Sequence, residues 1–284
     1  MPVDPISHLY FEASGPECAP TIVFLHGGGG AGWMWRRQVA GLQGEYRCLA
    51  PDLPEQGQTS SAGAYSPEAA ADCVAALIRS QVPGEKAHIV GLSEGAQVTV
   101  ALLGRCPQVI DHALVSSAIL LPILGMDWVS PGLLAWSYRI FMAPLKNADW
   151  WIRINMKGSA GIPDEYFPEF KASFQQTSEA GLIHMLQSSL SFRQPAGLEK
   201  ANVPVLVVAG RKEYREMRLS AQQLVRALPC AQGRFLSLGP CSSLRKEHNW
   251  AMTAPDLFNQ TVRAWIEGRP LPLALVPFDA QTKV

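Results

Sequence analysis

The sequence has no excess of charge of either sign. Its 24 lysine and arginine residues balance its 24 aspartate and glutamate residues, which gives a formal net charge of +0 at pH 7. Proteins that bind nucleic acid or anionic membranes through charge carry clusters of basic residues on one face. We therefore expect neither nucleic acid nor a membrane among the partners of this protein.

The sequence also lacks an apolar run long enough to span a bilayer. The longest apolar stretch, 113–126, is interrupted by Pro122, and it is shorter than the roughly 20 residues that a spanning helix needs. The first residues show neither the basic region nor the apolar region of a signal peptide. These absences predict a cytoplasmic location.

Paired cysteine motifs are absent as well. None of the six cysteines has the CxxC spacing, which argues against a zinc site or a redox pair. We expect most of them to be buried as small apolar side chains in a reducing compartment. A bridge between Cys230 and Cys241 is the one pairing that stays open.

Apolar residues, in contrast, are abundant and arranged in a regular pattern. They make up 48% of the 284 residues, enough for a large core. Apolar strand patterns alternate with helical patterns over the first 120 residues, which predicts an α/β fold with a mainly parallel sheet flanked by helices. The alternation stops at about residue 121 and resumes at about 201. We therefore predict a core of residues 1–120 and 201–284 with an inserted helical lid, 121–200.

The predicted lid is rich in aromatic residues and is divided by prolines into short helices. Most of these aromatic side chains are expected to attach the lid to the core, and a few to line a pocket. Trp128 and Trp136 are the candidates for contact with a substrate. The apolar tail, 269–284, is expected to pack either on the core or on a second subunit, so a homodimer stays open.

The motif Gly91-Leu92-Ser93-Glu94-Gly95 lies between an apolar strand pattern and a helical pattern. A Gly-x-Ser-x-Gly turn at such a junction exposes the serine hydroxyl on a sharp corner, and the glycines permit the tight packing around it. The corner also places Ser93 and the backbone N–H of Glu94 at a helix N-terminus, where developing negative charge is stabilised. The motif predicts that Ser93 is a nucleophile, provided that the chain supplies a base, an acid and an oxyanion hole.

A glycine-rich loop, 26–32, follows the second predicted strand. Phosphate binding is one interpretation, but the chain has no Gly-Lys-Ser/Thr and no GxGxxG in register there. The other interpretation is an oxyanion loop, whose backbone N–H groups can approach a substrate because no side chain blocks them. We predict the latter, with His26 bracing the loop rather than transferring protons.

The base is assigned by elimination among six histidines. His8, His88 and His112 lie on predicted strands, and His184 lies in a predicted lid helix. His248 lies in a predicted loop between the last strand and the last helix, from which it could reach the serine. The alternative is that His248 is an ordinary surface histidine in a charged loop.

The acid is assigned from its place after a predicted strand, 203–210. Glu213 follows this strand by three residues, whereas the competing Glu216 is expected to begin the next helix. A carboxylate in this loop would fix the tautomer of the histidine and stabilise its charged form. The alternative is a solvated charge among the neighbouring basic residues.

The order Ser93, Glu213, His248, together with the elbow motif, resembles the α/β-hydrolase superfamily, and in particular its serine esterases with a helical cap. The resemblance extends over about residues 20–268. It implies Ser93 as nucleophile, His248 as base and Glu213 as acid. It further implies an oxyanion hole made by the N–H groups of Gly28 and Glu94, with Gly27 and Gly29 as alternatives for the first donor and as neighbours of the substrate.

The chain departs from the pattern of this superfamily in three places. Many relatives have Gly-His-Gly where this chain has Glu55-Gln56-Gly57, a segment that we assign to the fold rather than to the chemistry. The acid is Glu213 rather than the usual aspartate, so its loop must be displaced. The segment before His248, 239–247, is longer than the short turn that is often found there.

A serine nucleophile with an oxyanion hole predicts hydrolysis of a small, neutral, apolar or aromatic carboxylic ester through an acyl-enzyme. No metal or other cofactor is required. The alternatives are a carbon–carbon bond hydrolase, whose glycine loop has a proline where Gly30 stands, and a hydroxynitrile lyase, which has a lysine where Asn249 stands. A non-catalytic ligand-binding protein of the same fold is the alternative from a different class.

Overall fold

The computed structural model describes residues 3–59, 62–123 and 129–278, apart from the side chains of 159 and 160. One sheet of eight strands, in the order β1-β3-β2-β4-β5-β6-β7-β8, forms its centre. The strands are β1 (Phe11–Ser14), β2 (Thr21–Leu25), β3 (Arg47–Pro51), β4 (Ala87–Leu92), β5 (Ile110–Ser116), β6 (Val205–Gly210), β7 (Ala231–Leu236) and β8 (Leu275–Pro277). Neighbouring strands from β3 to β7 are parallel, and the edge pairs β1–β3 and β7–β8 are antiparallel. The predicted α/β fold with a mostly parallel sheet is confirmed.

Helices cover both faces of this sheet. They are α1 (Arg36–Leu42), α2 (Pro67–Gln81), α3 (Glu94–Arg105), α4 (Pro131–Ser137), α5 (Asp149–Asn155), α6 (Phe167–Gln176), α7 (Glu179–Ser191), α8 (Arg215–Ala227), α9 (Leu244–His248), α10 (Trp250–Thr253) and α11 (Pro255–Ile266). Successive side chains of a strand point to opposite faces. In β2, Ile22 and Phe24 accordingly join one apolar cluster, and Val23 and Leu25 join the other. Burial on both faces explains why the strand sequences are continuous apolar runs.

The start of α2 shows how local sequence fixes an element of this fold. Ser66 Oγ accepts a hydrogen bond from the backbone N–H of Ala69 at 3.1 Å, and Pro67 occupies the first helical position. Serine satisfies an otherwise unpaired N–H at this place, and proline has no N–H to lose. The pair Ser66-Pro67 thus fixes the start of α2.

The inserted segment between β5 and β6 carries α4 to α7. Polar contacts join helix α7 to the core, two of them with the segment 55–65. The His184 ring lies 2.8 Å from the Glu55 carboxylate, and Ser188 Oγ donates to the backbone oxygen of Tyr65 at 3.2 Å. The bounds that we assigned to a lid, 121–200, stay a prediction, and Trp128 lies outside the described residues.

Several expectations about the elements are wrong in detail. The apolar pattern predicts a strand over residues 113–120, whereas β5 covers Ile110–Ser116. His248 ends the short helix α9 instead of lying in a loop. The apolar tail packs on the core, because Leu275–Pro277 pairs with β7 as an eighth strand. The sequence does not predict this strand, because it has only three residues, ends in a proline and pairs only with β7 at the edge of the sheet.

The expectation for the cysteines is also wrong. Cys18, Cys230 and Cys241 are exposed and only Cys48 is fully buried, because three cysteines lie in turns rather than on the inner faces of elements. Cys230 and Cys241 are both free thiols, so they form no bridge. Among the described residues, no helix combines the length and apolarity needed to cross a membrane.

Candidate active site

Ser93 occupies a sharp corner between β4 and α3. Its φ is 57° and its ψ is −111°, a backbone conformation that non-glycine residues rarely adopt. The two glycines of the motif make the corner possible. A Cβ on Gly91 would lie 2.3 Å from the backbone oxygen of Gly95, and one on Gly95 would lie 2.1 Å from that of Leu25. The elbow that the motif predicts is therefore formed, and its strain is maintained by the packing around it.

A cavity of about 300 Å³ opens in front of Ser93. Its apolar lining comes from the core and from the inserted segment: Met34, Ile119, Ile162, Met185 and Leu186. The cavity is also lined by residues that we predict to take part in catalysis or to contact the substrate: Gly27, Gly28, Ser93, Glu94 and His248. Ser93 and His248, which are 155 positions apart in the chain, thus face the same space.

The glycine-rich loop after β2 lies directly beside the serine. A Cβ on Gly27 would lie 3.6 Å from the Cβ of Ser93, so a larger side chain there would fill the space above the serine. The N–H of Gly29 is not available to a ligand, because it donates to Gln56 Oε1 at 2.8 Å. Within the described part of the chain, the N–H groups of Gly28 and Glu94 donate no hydrogen bond. The geometry favours Gly28 over Gly29 as the first donor.

His26 braces this loop, as predicted. Its ring is fully buried, and Nε2 accepts a hydrogen bond from the N–H of Leu53 at 3.0 Å. The proton therefore lies on Nδ1, which donates to the backbone oxygen of Gly27 at 2.9 Å. Burial lowers the pKa of His26, so the ring is neutral and serves as a fixed connector between two loops.

Glu213 and His248 are joined by a short hydrogen bond. Nδ1 of His248 lies 2.6 Å from Oε1 of Glu213, whose side chain is completely buried. A carboxylate only accepts, so Nδ1 carries the proton and Nε2 keeps its lone pair. Oε2 of Glu213 accepts from the N–H of Gly210 at 2.8 Å, so the longer acid folds back over the end of β6. No hydrogen bond joins Ser93 Oγ to the His248 ring among the described residues.

A second buried carboxylate, Glu247, supports the loop that carries the acid. It is 1% exposed, and its Oε2 accepts from the N–H of Lys212 at 2.8 Å. A Cβ on Gly210 would lie 2.7 Å from the Cβ of Glu247, so the two elements are in close contact. Glu247 lies in a run of charged residues, and nothing in the sequence of that run indicates that its side chain points inward.

Glu94 has a role that the sequence did not reveal, because its side chain turns into the protein. Its Oε2 accepts from Gln56 Nε2 at 2.8 Å and its Oε1 from Ser189 Oγ at 2.9 Å. Burial raises the pKa of Glu94 to about 7, against the opposing effect of hydrogen bonds from Gln56 and Ser189. The carboxyl therefore changes its charge near neutral pH, next to the predicted oxyanion hole.

Gln56 connects this carboxyl to the glycine loop, since it holds Gly29 with its oxygen and Glu94 with its nitrogen. These contacts support the glycine loop, so the assignment of Glu55-Gln56-Gly57 to the fold rather than to the chemistry stays a prediction. Trp136 departs from its prediction. It does not line the cavity, its ring is 54% exposed, and it packs edge-on against Phe141. Its position on the outer side of α4 removes it from the substrate contacts that we expected.

Several known proteins are similar to this chain in sequence or in fold. An esterase of Mycobacterium tuberculosis is 35% identical over 96 residues, which is 33% of this chain and only 31% of that protein. A putative carbamate hydrolase of Serratia proteamaculans is 24% identical over 91% of this chain and 96% of its own length. The crystal structure of an enol-lactonase from Burkholderia xenovorans has a TM-score of 0.71 and 21% identity, and it covers 91% of this chain and 96% of the lactonase. A sequence model described as the alpha/beta hydrolase family matches residues 22–273. The match spans most of the chain, including the residues that line the cavity, so the protein belongs to the alpha/beta hydrolase family.

Proposed function

We propose that the protein is a carboxylesterase-like serine hydrolase that cleaves a small, neutral, apolar or aromatic ester through an acyl-enzyme on Ser93. One observation carries the proposal: Ser93 and His248 line the same cavity, and a 2.6 Å hydrogen bond from the His248 ring to Glu213 fixes that ring. A serine hydroxyl alone is a weak nucleophile, and a histidine with an available lone pair is the group that activates it.

In the proposed reaction, Nε2 of His248 takes the hydroxyl proton of Ser93 while Oγ attacks the ester carbonyl carbon. The N–H groups of Gly28 and Glu94 donate to the carbonyl oxygen as it becomes negative. His248 then passes its proton to the leaving alcohol as the carbon–oxygen bond breaks, which leaves the acyl group on Ser93. A water molecule repeats the sequence and releases the carboxylic acid. Through both steps, the ionised Glu213 stabilises the charged imidazole.

The lining of the cavity supports the substrate class. Met34, Ile162, Met185 and Leu186 present apolar surface, and a volume of about 300 Å³ suits an ester of small to medium size. The named activities of the relatives, an esterase, an enol-lactonase and a putative carbamate hydrolase, all involve attack on an acyl carbon bonded to oxygen or nitrogen. We therefore assign a neutral acyl compound to this protein and prefer a carboxylic ester.

The substrate class is tested with a matched pair of activated esters. Turnover of p-nitrophenyl butyrate is compared with that of p-nitrophenyl hemisuccinate, which has a similar length and a negative charge, on the wild type and on Ser93→Ala. We expect the wild type to prefer the neutral ester and the variant to be inactive on both. Preference for the charged ester would contradict the substrate class. Turnover that persists in Ser93→Ala would contradict the mechanism.

A further inference from the structure

The N-terminal ends of β4 and β5 bring two histidines and an aspartate together. His88 is the second residue of β4, and Asp111 and His112 are the second and third residues of β5. The register of this pair shifts here, because Ala87 pairs with Ile110 whereas Ile89 pairs with Ala113. One residue, His88, therefore faces two residues of the neighbouring strand, which is a β-bulge.

The bulge matters because consecutive residues of a regular strand point to opposite faces. Here both Asp111 and His112 approach His88. Oδ1 of Asp111 lies 3.4 Å from Nδ1 of His88 and 2.5 Å from Nδ1 of His112. One potential ligand atom from each of the three residues lies within 4.8 Å of the others. A regular pairing would direct one of these side chains away.

His88 is a buried histidine whose ring is fixed by packing. The residue is 8% exposed, and its Nδ1 is buried without a hydrogen-bond partner among the described residues. Its ring packs against the rings of Tyr46 and His112, with centroid distances of 6.5 and 5.4 Å. Nδ1 of His88 faces Oδ1 of Asp111 at 3.4 Å without a hydrogen bond between the two atoms.

We propose that His88, Asp111 and His112 form a binding site for a first-row divalent transition-metal ion, with Zn²⁺ the best-suited probe. Two imidazole nitrogens and one carboxylate oxygen are a set of ligands typical of such ions. At metal–ligand bonds of about 2.0–2.2 Å, ligand atoms of a tetrahedral site lie about 3.3–3.5 Å apart, close to the separation of His88 and Asp111. Asp111 is half exposed, so an ion enters from solvent and keeps water on that side.

The site is independent of the proposed ester hydrolysis. Ser93 follows His88 by five positions, which at about 3.3 Å per residue places the two residues roughly 16 Å apart. An ion at His88 would cross-link β4 and β5 at the end of the sheet opposite the serine. An ion that binds the folded chain alone stabilises it in proportion to its affinity. The role we assign to the site is therefore stabilisation of these two strands.

The test is titration of the full-length protein with Zn²⁺ by isothermal calorimetry, at pH 7 in the absence of chelators. The variants are His88→Gln, His112→Gln and Asp111→Asn, each confirmed as folded by circular dichroism. His184→Gln is the matched control, because His184 also lies against a carboxylate, that of Glu55, but is not part of the His88 cluster. Titration with Co²⁺ provides a spectroscopic readout, because its visible absorption bands shift and intensify when protein ligands replace water in a site of low coordination number.

We expect one Zn²⁺ per chain in the wild type and in the control. Each histidine variant should weaken binding by about tenfold or more, because it removes one of three ligands, and the visible Co²⁺ bands should be lost. Equal affinity in the wild type and in His112→Gln, whose side chain is partly exposed, would overturn the proposal. So would the absence of saturable binding in the wild type. Should His88→Gln not fold, His112→Gln and Asp111→Asn decide the question.

Discussion

Glu213 reaches back over the end of β6 and places its Oε1 2.6 Å from Nδ1 of His248. The other oxygen of the carboxylate accepts the N–H of Gly210, so both oxygens are fixed by donors on opposite sides. This bridge keeps the His248 proton on Nδ1 and leaves Nε2 free to accept a proton from the cavity side. The side chain of a glutamate is one carbon longer than that of an aspartate, and the turn from Gly210 to Glu213 takes up this extra length.

Glu213→Gln should lower kcat for p-nitrophenyl butyrate by about 10²–10⁴-fold. The amide nitrogen can donate to Nδ1, which would move the histidine proton to Nε2, where it blocks acceptance of the serine proton. The substitution also weakens the buried hydrogen bonds of this carboxylate, so the free energy of unfolding should fall by about 1–3 kcal/mol. Steady-state kinetics and urea unfolding of the same preparation provide both numbers.

Glu247→Gln is the matched control for this variant. Glu247 is equally buried and lies one residue before His248, but its carboxylate holds the N–H of Lys212 instead of the histidine ring. Weakening a buried charged hydrogen bond costs about 1–3 kcal/mol, so stability should fall while kcat changes far less than in Glu213→Gln. An equal loss of kcat in both variants would contradict the role of Glu213.

Glu94→Gln should extend the activity of the enzyme to higher pH. The pKa of Glu94 is about 7 because the carboxyl is buried, so the wild type acquires a negative charge beside the proposed oxyanion hole above neutral pH. A negative charge close to a developing oxyanion opposes its formation, so ionisation of Glu94 should lower the rate. The kcat/KM of the wild type should therefore fall as pH rises through 7, and that of the variant should not. Coincident pH profiles would contradict this account.

The same substitution should change stability with a defined pH window. The pKa of Glu94 is raised from 4.5 to about 7 in the folded chain, so the unfolded chain loses this proton first as pH rises. The free energy of unfolding therefore decreases as pH rises from 4.5 to about 7, because over this range the folded chain holds a proton that the unfolded chain has lost. Over this pH window, the free energy of unfolding of Glu94→Gln should rise by about 3 kcal/mol relative to that of the wild type. Urea unfolding at pH 4.5 and pH 8 measures it, and a constant difference would refute the prediction.

Gln56→Ala should lower kcat by about tenfold with a smaller effect on KM, because it frees the glycine loop that must hold an oxyanion donor in place. Gln56 contacts Gly29 and Glu94 only through its side-chain amide. Its hydrogen bond lowers the pKa of Glu94, so its loss should also move the high-pH decrease in activity to higher pH. Gln58→Ala, at an exposed position two residues later, is the control and should leave both properties unchanged.

Gly95→Ala should destabilise the fold by at least about 1–3 kcal/mol. The added methyl carbon would lie 2.1 Å from the backbone oxygen of Leu25, so α3 must move away from β2. Gly132→Ala is the control, since its methyl group would meet nothing closer than 4.0 Å, and alanine is favoured in a helix interior. Chemical unfolding of both variants gives the comparison, and equal stability of the two would contradict the packing described for the elbow.

The sequence predicts the parts of this molecule that depend on local pattern. Continuous apolar runs identify the buried strands, the Ser66-Pro67 pair identifies the start of a helix, and the glycines around Ser93 identify a corner that only their small size allows. Elimination among six histidines predicts His248 as the base, and the structure places it at the end of α9 on the cavity that Ser93 faces.

The sequence does not predict contacts that connect distant loops. Gln56 and Glu94 are 38 positions apart, and neither residue type signals that one amide bridges a carboxyl and the glycine loop. The bulge that brings Asp111 and His112 to His88 depends on a register shift between strands, and the strand Leu275–Pro277 depends on hydrogen bonds from β7. These features require the folded arrangement of the sheet.

The activated serine is tested most directly by the intact mass of the protein after treatment with a fluorophosphonate. The wild type, Ser93→Ala and His248→Gln are treated side by side at pH 7. The account predicts a single adduct on the wild type, no adduct on Ser93→Ala, and much slower labelling of His248→Gln. An unlabelled wild type, or an adduct that persists in Ser93→Ala, would contradict it.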